Sequence, residues 1–122
     1  AEHRHDVTLA DISRAELEIA RTQAAARGVV LREVVEADAR NLARFDDGSF
    51  DVVLMLGPLY HLLEAADRER AGSEARRVLR ASGTLFAAFI TRYAVVRFWA
   101  KYDPSRVASD WENMSGNWPM AG

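Results

Sequence analysis

The chain has 122 residues, 49% hydrophobic and 28% charged, which is the composition of one globular domain rather than of a disordered segment. Sixteen basic residues against 18 acidic ones give a formal net charge of −2, which argues against a dedicated nucleic-acid-binding protein. The absence of cysteine excludes disulfides, thiolate metal sites and cysteine nucleophiles. The three histidines show no metal-ligand spacing, so no metal is expected.

No apolar run approaches the roughly 20 residues that a membrane-spanning helix needs, and the polar N-terminus lacks the apolar core of a signal peptide. We therefore expect a cytoplasmic protein that does not bind membranes. Fifteen of the 16 basic residues are arginine, which is typical of a GC-rich genome, so the arginine count is not taken as a sign of phosphate recognition.

Short apolar runs alternate with amphipathic stretches along the chain, a pattern that predicts alternating strands and helices. In chain order these are a strand at 7–10, a helix at 14–27, a strand at 29–36, a one-turn connector at 41–45, a strand at 50–56, a helical turn at 59–63, a helix at 67–80, a strand at 84–90 and a helix at 93–102. Crossovers of this length predict an α/β fold with a mostly parallel sheet and flanking helices.

Local signals mark the ends of these elements. Ser13 and Glu16 form a capping box for the first helix, and Gly28 stands where a left-handed C-terminal cap is expected. Asp67 is the predicted N-cap of the helix at 67–80. The nearly continuous apolar run at 50–56 is typical of a strand buried on both faces of a parallel sheet.

Polar features follow three predicted strands, at the sheet edge where parallel α/β proteins bind ligands. Asp11 can accept two hydrogen bonds from a ribose, or it can cap the following helix. Asp38 can accept from an adenine amino group, or it can cap the short turn after it. In the turn after 50–56, His61 is a candidate general base or a structural histidine, and Tyr60 is more readily a pocket wall than an acid or base.

Four segments in this order and at this spacing resemble a class I S-adenosylmethionine-dependent methyltransferase of the small-molecule type. They are Val-Thr-Leu-Ala-Asp-Ile-Ser at 7–13, Glu-Ala-Asp-Ala at 36–39, Gly-Ser-Phe-Asp-Val-Val with Leu-Gly-Pro-Leu-Tyr-His-Leu between 48 and 62, and Glu-Ala-Arg-Arg-Val-Leu-Arg with Gly-Thr-Leu-Phe between 74 and 86. The resemblance covers about residues 7–90 and implies a Rossmann-like fold that binds S-adenosylmethionine.

The resemblance implies a role for each of four residues on the nucleoside side of the cofactor. Asp11 would hold the ribose hydroxyls, and Ile12 would pack on the adenine face. Asp38 would meet the adenine amino group, with the amide of Ala39 nearby. These roles match the polar features that follow the first two predicted strands.

The same resemblance implies roles in the turn after the strand at 50–56. Leu56 and Gly57 would present backbone groups to the methionine portion of the cofactor. Tyr60 and His61 would face the methyl group and its acceptor, as the catalytic residues. A small-molecule acceptor is the implied partner, and no metal is implied.

The sequence departs from the family at both ends. The glycine-rich turn after the family's first strand is absent, and no G-x-G pattern occurs in these 122 residues. The fold is therefore expected to be incomplete, without the first strand and the last two. Residues 1–90 would form a partial cofactor-binding core, and residues 91–122 an aromatic helix-and-loop cover for the acceptor site. A gap between the strands at 7–10 and 50–56 would expose strand edges, which predicts self-association.

The leading interpretation is a methyltransferase that uses S-adenosylmethionine and a small-molecule acceptor. The alternative is a truncated methyltransferase-like domain without catalytic activity, which serves as an interaction module or has no independent function. A nicotinamide-dependent Rossmann enzyme is a third interpretation. It shares the acid at a strand end, but it does not account for the Leu-Gly-Pro-Leu-Tyr-His turn.

Overall fold

The computed structural model describes residues 5–91 and 93–109, and in them strands and helices alternate as predicted. The elements are β1 (Thr8–Asp11), α1 (Arg14–Ala26), β2 (Glu33–Glu36), β3 (Phe50–Met55), α2 (Pro58–His61), α3 (Ala65–Val78), β4 (Leu79–Ala87), α4 (Ala94–Tyr102) and α5 (Pro104–Ser109). None of these helices has the length and apolar character that crossing a membrane requires.

The described strands pair in parallel, as predicted, but they form two sheets of two strands each. In one sheet, Leu9 of β1 lies opposite Val34 of β2. In the other, Val53 of β3 lies opposite Leu85 of β4. Strands β1 and β3 are not hydrogen-bonded to each other, which confirms that the two predicted strands on either side of the expected gap do not pair directly.

Each sheet carries its own crossover helix. Helix α1 packs on β1 and β2 through Leu17, which is buried. Helix α3 packs on β3 and β4 through Ala71, Ala75 and Val78, all buried. These buried side chains hold α3 against β3 and β4.

Strand β4 begins earlier than predicted, at Leu79 rather than at residue 84. Regular pairing with β3 does start at Thr84, opposite Val52, but an additional pair joins Leu79 to Phe50. The chain between these two pairs bulges, because five steps along β4 match two steps along β3. The residues Ala-Ser-Gly at 81–83, between the predicted helix and the predicted strand, therefore lie in this bulge.

The predicted caps are partly confirmed. The Ser13 hydroxyl accepts the backbone N–H of Glu16 at 3.4 Å, and Gly28 adopts the left-handed conformation with φ of 65°. Asp67 is not the N-cap of α3, because the helix begins two residues earlier, after Glu64. The Asp67 carboxylate accepts instead from Arg40, 2.8 Å away.

Two further segments differ from the prediction. Residues 41–45 form turns rather than a helical turn, with the Phe45 N–H donating to the Leu42 carbonyl at 2.9 Å. Helix α5 was not predicted, and it begins at Pro104, whose fixed φ suits the first position of a helix. The rest of the predicted aromatic cover, residues 110–122, lies outside the described residues.

The expectation that β3 is buried on both faces is wrong for the described part of the chain. Met55 is only 5% exposed, because its side chain faces the covered side of the sheet. Val52 and Leu54 are 50% and 62% exposed on the other face. An apolar run indicates that a strand can be buried on both faces. Whether each face is buried depends on which other elements of the fold cover the strand.

The Arg77 guanidinium makes most of the side-chain bonds that attach the connector between β2 and β3, residues 37–49, to α3. Arg77 donates to the Leu42 and Phe45 carbonyls, both at 2.9 Å, and to the Glu74 and Asp47 carboxylates. Glu74 in turn accepts the backbone N–H of Leu42 at 2.6 Å. Arginine can do this because its planar fork offers five donors, and lysine cannot reproduce that geometry.

A methyl group at Gly83 is expected to destabilise the protein, whereas one at Gly72 is not. At Gly83 it would lie 2.8 Å from the Asp51 carbonyl oxygen and 2.5 Å from a Leu79 methyl group, so Gly83→Ala should cost about 1–3 kcal/mol through overpacking. At Gly72, inside α3, nothing lies within 4 Å, so Gly72→Ala should add about 0.5–1 kcal/mol through helix propensity. Chemical denaturation of both variants tests this, and equal effects would contradict the bulge geometry.

Acid should weaken the connection between Glu74 and Arg77. The hydrogen bond from Arg77, followed by that from the Leu42 N–H, lowers the pKa of Glu74 from 4.5 to about 2. A carboxyl group with a depressed pKa stabilises the folded state fully above its unfolded pKa, so this stabilisation is lost as pH falls from about 4.5 to about 2. Glu74→Gln should therefore flatten the fall of unfolding free energy in that range. Glu69→Gln, on the exposed side of the same helix, is the control and should keep the wild-type slope.

Candidate functional site

Asp11 is the last residue of β1, and its carboxylate is only partly used by the fold. Its Oδ1 accepts the backbone N–H of Ser13 at 2.8 Å, which is the capping role considered from the sequence. Its Oδ2 has no hydrogen-bond partner among the residues that the structure describes, and the side chain is exposed. One oxygen therefore caps the turn into α1 while the other remains able to accept from a ligand.

Ile12 follows directly and is 65% exposed. An exposed β-branched side chain next to an exposed carboxylate offers an apolar surface and an acceptor side by side. That combination suits a nucleoside, whose base is flat and apolar on its faces and whose ribose carries hydroxyl groups. The backbone carbonyl of Asp11 accepts the N–H of Ala37 at 3.0 Å, so the segment that leads to Asp38 runs beside this strand end.

Asp38 is held by Arg40 on both carboxylate oxygens. Oδ1 accepts the Arg40 backbone N–H at 2.8 Å, and Oδ2 accepts Nη2 at 2.6 Å. The bond to the Arg40 side chain, with the backbone bond second, lowers the pKa of Asp38, so the group stays ionised. Ala39 between them is half-buried. The turn-capping role considered from the sequence is thus present in the structure.

The turn after β3 is held in shape by several hydrogen bonds within it or to it, among them one from the Tyr60 N–H to the Gly57 carbonyl at 3.3 Å. Leu56 and Gly57 lead into the four-residue helix α2, and the Tyr60 O–H donates back to the Leu56 carbonyl. The Leu62 N–H donates to the Pro58 carbonyl at 2.9 Å. Arg68 of α3 donates to the carbonyls of the two residues after α2, Leu62 at 2.9 Å and Leu63 at 2.5 Å.

His61 is exposed at the end of α2. Its ring lies 4.8 Å from the ring of Tyr60, centroid to centroid, and no hydrogen bond holds it among the described residues. Leu56 is 55% exposed, and a side chain at Gly57 would meet no atom within 4 Å, so the space beside the turn is open. The Tyr60 hydroxyl is engaged with backbone, which favours the pocket-wall role over that of acid or base.

The structure places Asp11 and Asp38 after neighbouring strands of one sheet, and Tyr60 and His61 after β3 of the other. No group of three or more histidine, aspartate or glutamate side chains is arranged to hold a metal among the described residues. Arg40 and Arg68 hold groups at this edge, and Arg77 holds the segment that precedes β3. None of the three was singled out from the sequence. For two of them the sequence offered a sign of an ion pair: Asp38 lies two residues before Arg40, and Glu74 lies three residues before Arg77.

A shallow depression of about 570 Å³ lies elsewhere, between the connector and α3. Its charged lining is Arg40, Arg70, Glu74 and Arg77, and three of these four side chains are already ion-paired with protein groups. It therefore differs in character from the strand-end groups, where acceptors and apolar surface remain exposed.

Comparisons with known proteins show the family and the fold of the chain. Residues 1–87 match the family model described as "Methyltransferase domain". A solved structure from Pyrococcus horikoshii is 32% identical with a TM-score of 0.62, over 69% of this chain and 38% of that one. A protein from Thermotoga maritima, described as a "SAM-dependent methyltransferase, possible histamine N-methyltransferase", is 31% identical with a TM-score of 0.56, over 79% of this chain and 42% of that one.

A third structure, described as a SAM-dependent methyltransferase from Methanosarcina mazei, has the same fold. It is 23% identical with a TM-score of 0.66, over 84% of this chain and 50% of that one. The chain thus spans between 38% and 50% of the length of these three structures. By its match to the family model over residues 1–87 and by its parallel strands with flanking helices, the chain belongs to the methyltransferase-domain family and has the Rossmann-like fold of class I S-adenosylmethionine-dependent methyltransferases.

Proposed function

We propose that the polypeptide containing this chain is a methyltransferase that uses S-adenosylmethionine and a small-molecule acceptor, acting in the cytoplasm. The observation that carries the proposal is the exposed Asp11 carboxylate at the end of a parallel strand, with one oxygen left over from capping, in a chain of the methyltransferase-domain family. S-adenosylmethionine supplies, when bound, a methyl group on a positively charged sulfonium, which makes that carbon electrophilic.

The residues of this chain would bind and orient the two reactants. Asp11 would accept hydrogen bonds from the ribose, Ile12 would cover one face of the adenine, and Asp38 with Ala39 would meet its amino edge. Leu56 and Gly57 would lie along the methionine portion, because a glycine without neighbours leaves room for close approach. Methyl transfer to a positioned nucleophile depends mainly on alignment, so most of the protein's contribution would be to hold both molecules in line.

An imidazole nitrogen of the His61 side chain would take a proton from the acceptor. Tyr60 would form the adjoining wall of the site. The exposure of His61 and the engagement of the Tyr60 hydroxyl with Leu56 support this division of roles. The acceptor's class is proposed from the family resemblance. Histamine is the first acceptor to test, because the description of the 31% identical Thermotoga protein mentions it.

Loss of the Asp11 carboxylate should weaken cofactor binding. Asp11→Asn keeps an oxygen that can cap Ser13 but removes the charge, so a lower affinity in this variant reports on the ligand and not on the cap. We expect at least about a tenfold loss, because a hydrogen bond to a charged group is worth roughly 1.5–3 kcal/mol. Calorimetric titration of S-adenosylmethionine into the complete polypeptide measures it. Asp46→Asn, an exposed acid of the connector, is the control, and unchanged affinity in Asp11→Asn would refute the ribose assignment.

His61→Ala should lower turnover and leave cofactor affinity nearly unchanged. General-base catalysis is typically worth a factor of about 10²–10⁴, so we expect turnover to fall about a hundredfold. The release of S-adenosylhomocysteine with histamine and a panel of small amines, alcohols and carboxylic acids measures it. Tyr60→Phe is the paired variant and should retain more activity, because its hydroxyl is engaged with backbone. Equal losses in the two variants would contradict the roles assigned here.

A second proposal is a methyltransferase-like domain that binds no cofactor and serves as an interaction module. The exposed apolar side chains of β3 and the unpaired edges of the two described sheets favour it. These features also support self-association of the chain. Titration distinguishes the two functions, because the module would not bind S-adenosylmethionine in the complete polypeptide, whereas the enzyme would.

A further inference from the structure

Arg40 holds Asp38 more completely than an ordinary surface ion pair does. Its backbone N–H and Nε reach Oδ1 at 2.8 and 3.0 Å, and its Nη2 and Nε reach Oδ2 at 2.6 and 3.1 Å. The carboxylate is therefore fixed by one residue through both its main chain and its side chain. Two parallel bonds from a guanidinium also set the plane of the carboxylate, which a single contact would not do.

The arginine itself is fixed from the other side. Its Nη1 donates to Oδ2 of Asp67, 2.8 Å away, in the first turn of α3. Asp38 and Arg40 thus take their orientation from a helix that is anchored in the core by three buried residues. Their side chains are 32% and 37% exposed, so a ligand can still reach the carboxylate.

Counting acceptor positions shows what Arg40 leaves open. A carboxylate has about four lone-pair positions on its two oxygens. Oδ1 receives two donors, while Oδ2 receives Nη2 and only a share of the Nε–H that it divides with Oδ1. One acceptor position on Oδ2 therefore remains, in a direction set by the arginine.

We propose that Arg40 is a positioning residue that makes Asp38 select a 6-amino purine over a 6-oxo purine in the cofactor. The inference rests on the proposed function, in which Asp38 meets the amino edge of the adenine. A fixed, acceptor-only group pairs with an amino group and repels a carbonyl oxygen at the same place. A mobile or protonated carboxyl group would discriminate less, because it can turn its O–H toward that oxygen.

The electrostatics of the pair support this assignment. The Arg40 side-chain bond holds the pKa of Asp38 below its ordinary value, so the group is ionised at neutral pH and has no proton to donate. Asp67 shares the same arginine, which leaves the three side chains with one excess negative charge. A ligand that offers an N–H donor suits that local charge.

The test compares two probes, S-adenosylhomocysteine and its 6-oxo analogue S-inosylhomocysteine, by calorimetric titration into the complete polypeptide. The wild type should prefer the amino form by about tenfold or more. Arg40→Gln should reduce that preference about fivefold, which is the size expected for one lost orienting hydrogen bond. Arg40→Lys keeps the charge without the planar fork, so it should restore only part of the preference.

The controls separate positioning from simple support of the fold. Arg70→Gln changes an exposed arginine of α3 beside the same depression and should keep the wild-type preference. Melting temperatures show which variants are folded, and a purely structural Arg40 would lower the melting temperature while leaving the preference unchanged. An unchanged preference in folded Arg40→Lys and Arg40→Gln would overturn the inference, as would a rise, which would mean that Arg40 competes with the purine. A wild type that binds neither probe would instead overturn the proposed function, and this inference with it.

Discussion

The contact on which most of the described structure depends is the attachment of the connector between β2 and β3 to helix α3. Two parallel sheets that do not pair need another link, and two arginines provide it here. Arg77 donates to two connector carbonyls, while Arg40 joins Asp38 to Asp67 on the helix. Because α3 also packs on β3 and β4, these bonds set where the end of the first sheet lies relative to the second.

Much of this fold can be predicted from the sequence because its signals are local. The spacing of the apolar runs predicted the strands to within a few residues. The Ser13 cap and the left-handed Gly28 predicted the two ends of α1. The start of β4 could not be predicted this way, since the bulge near Gly83 depends on how β4 pairs with β3. The exposure of Val52 and Leu54 could not be predicted from the sequence either, because burial depends on elements distant in the chain.

Local sequence signals also predicted only some of the polar groups of the candidate site. Asp11 and Asp38 were predicted as ligand-binding residues because they follow strands, and in the structure each carboxylate also accepts a hydrogen bond from a nearby backbone N–H. Arg40 was missed because arginine is abundant here, and an acid–arginine pair two residues apart has neither helical nor strand periodicity. The second partner of Arg40, Asp67, is 27 residues away in sequence. Arg77 likewise has a distant carboxylate partner, Asp47, so spacing along the sequence identifies neither contact.

The two halves of the candidate site are held in different ways, and this bears on what each can do. The nucleoside half is fixed by strand ends and by an arginine anchored in a core helix. The proposed acceptor half centres on the four-residue α2, which is too short to be stable alone. The α4–α5 pair, in which Arg106 stacks over Trp99 at 4.6 Å, belongs to the segment predicted to cover the acceptor. The Tyr60 hydroxyl and Arg68 hold the backbone before and after α2, and the His61 side chain makes no hydrogen bond among the described residues. A rigid nucleoside half beside an acceptor half held mainly through its backbone allows the acceptor surface to change by substitution without disturbing the groups proposed to bind the cofactor.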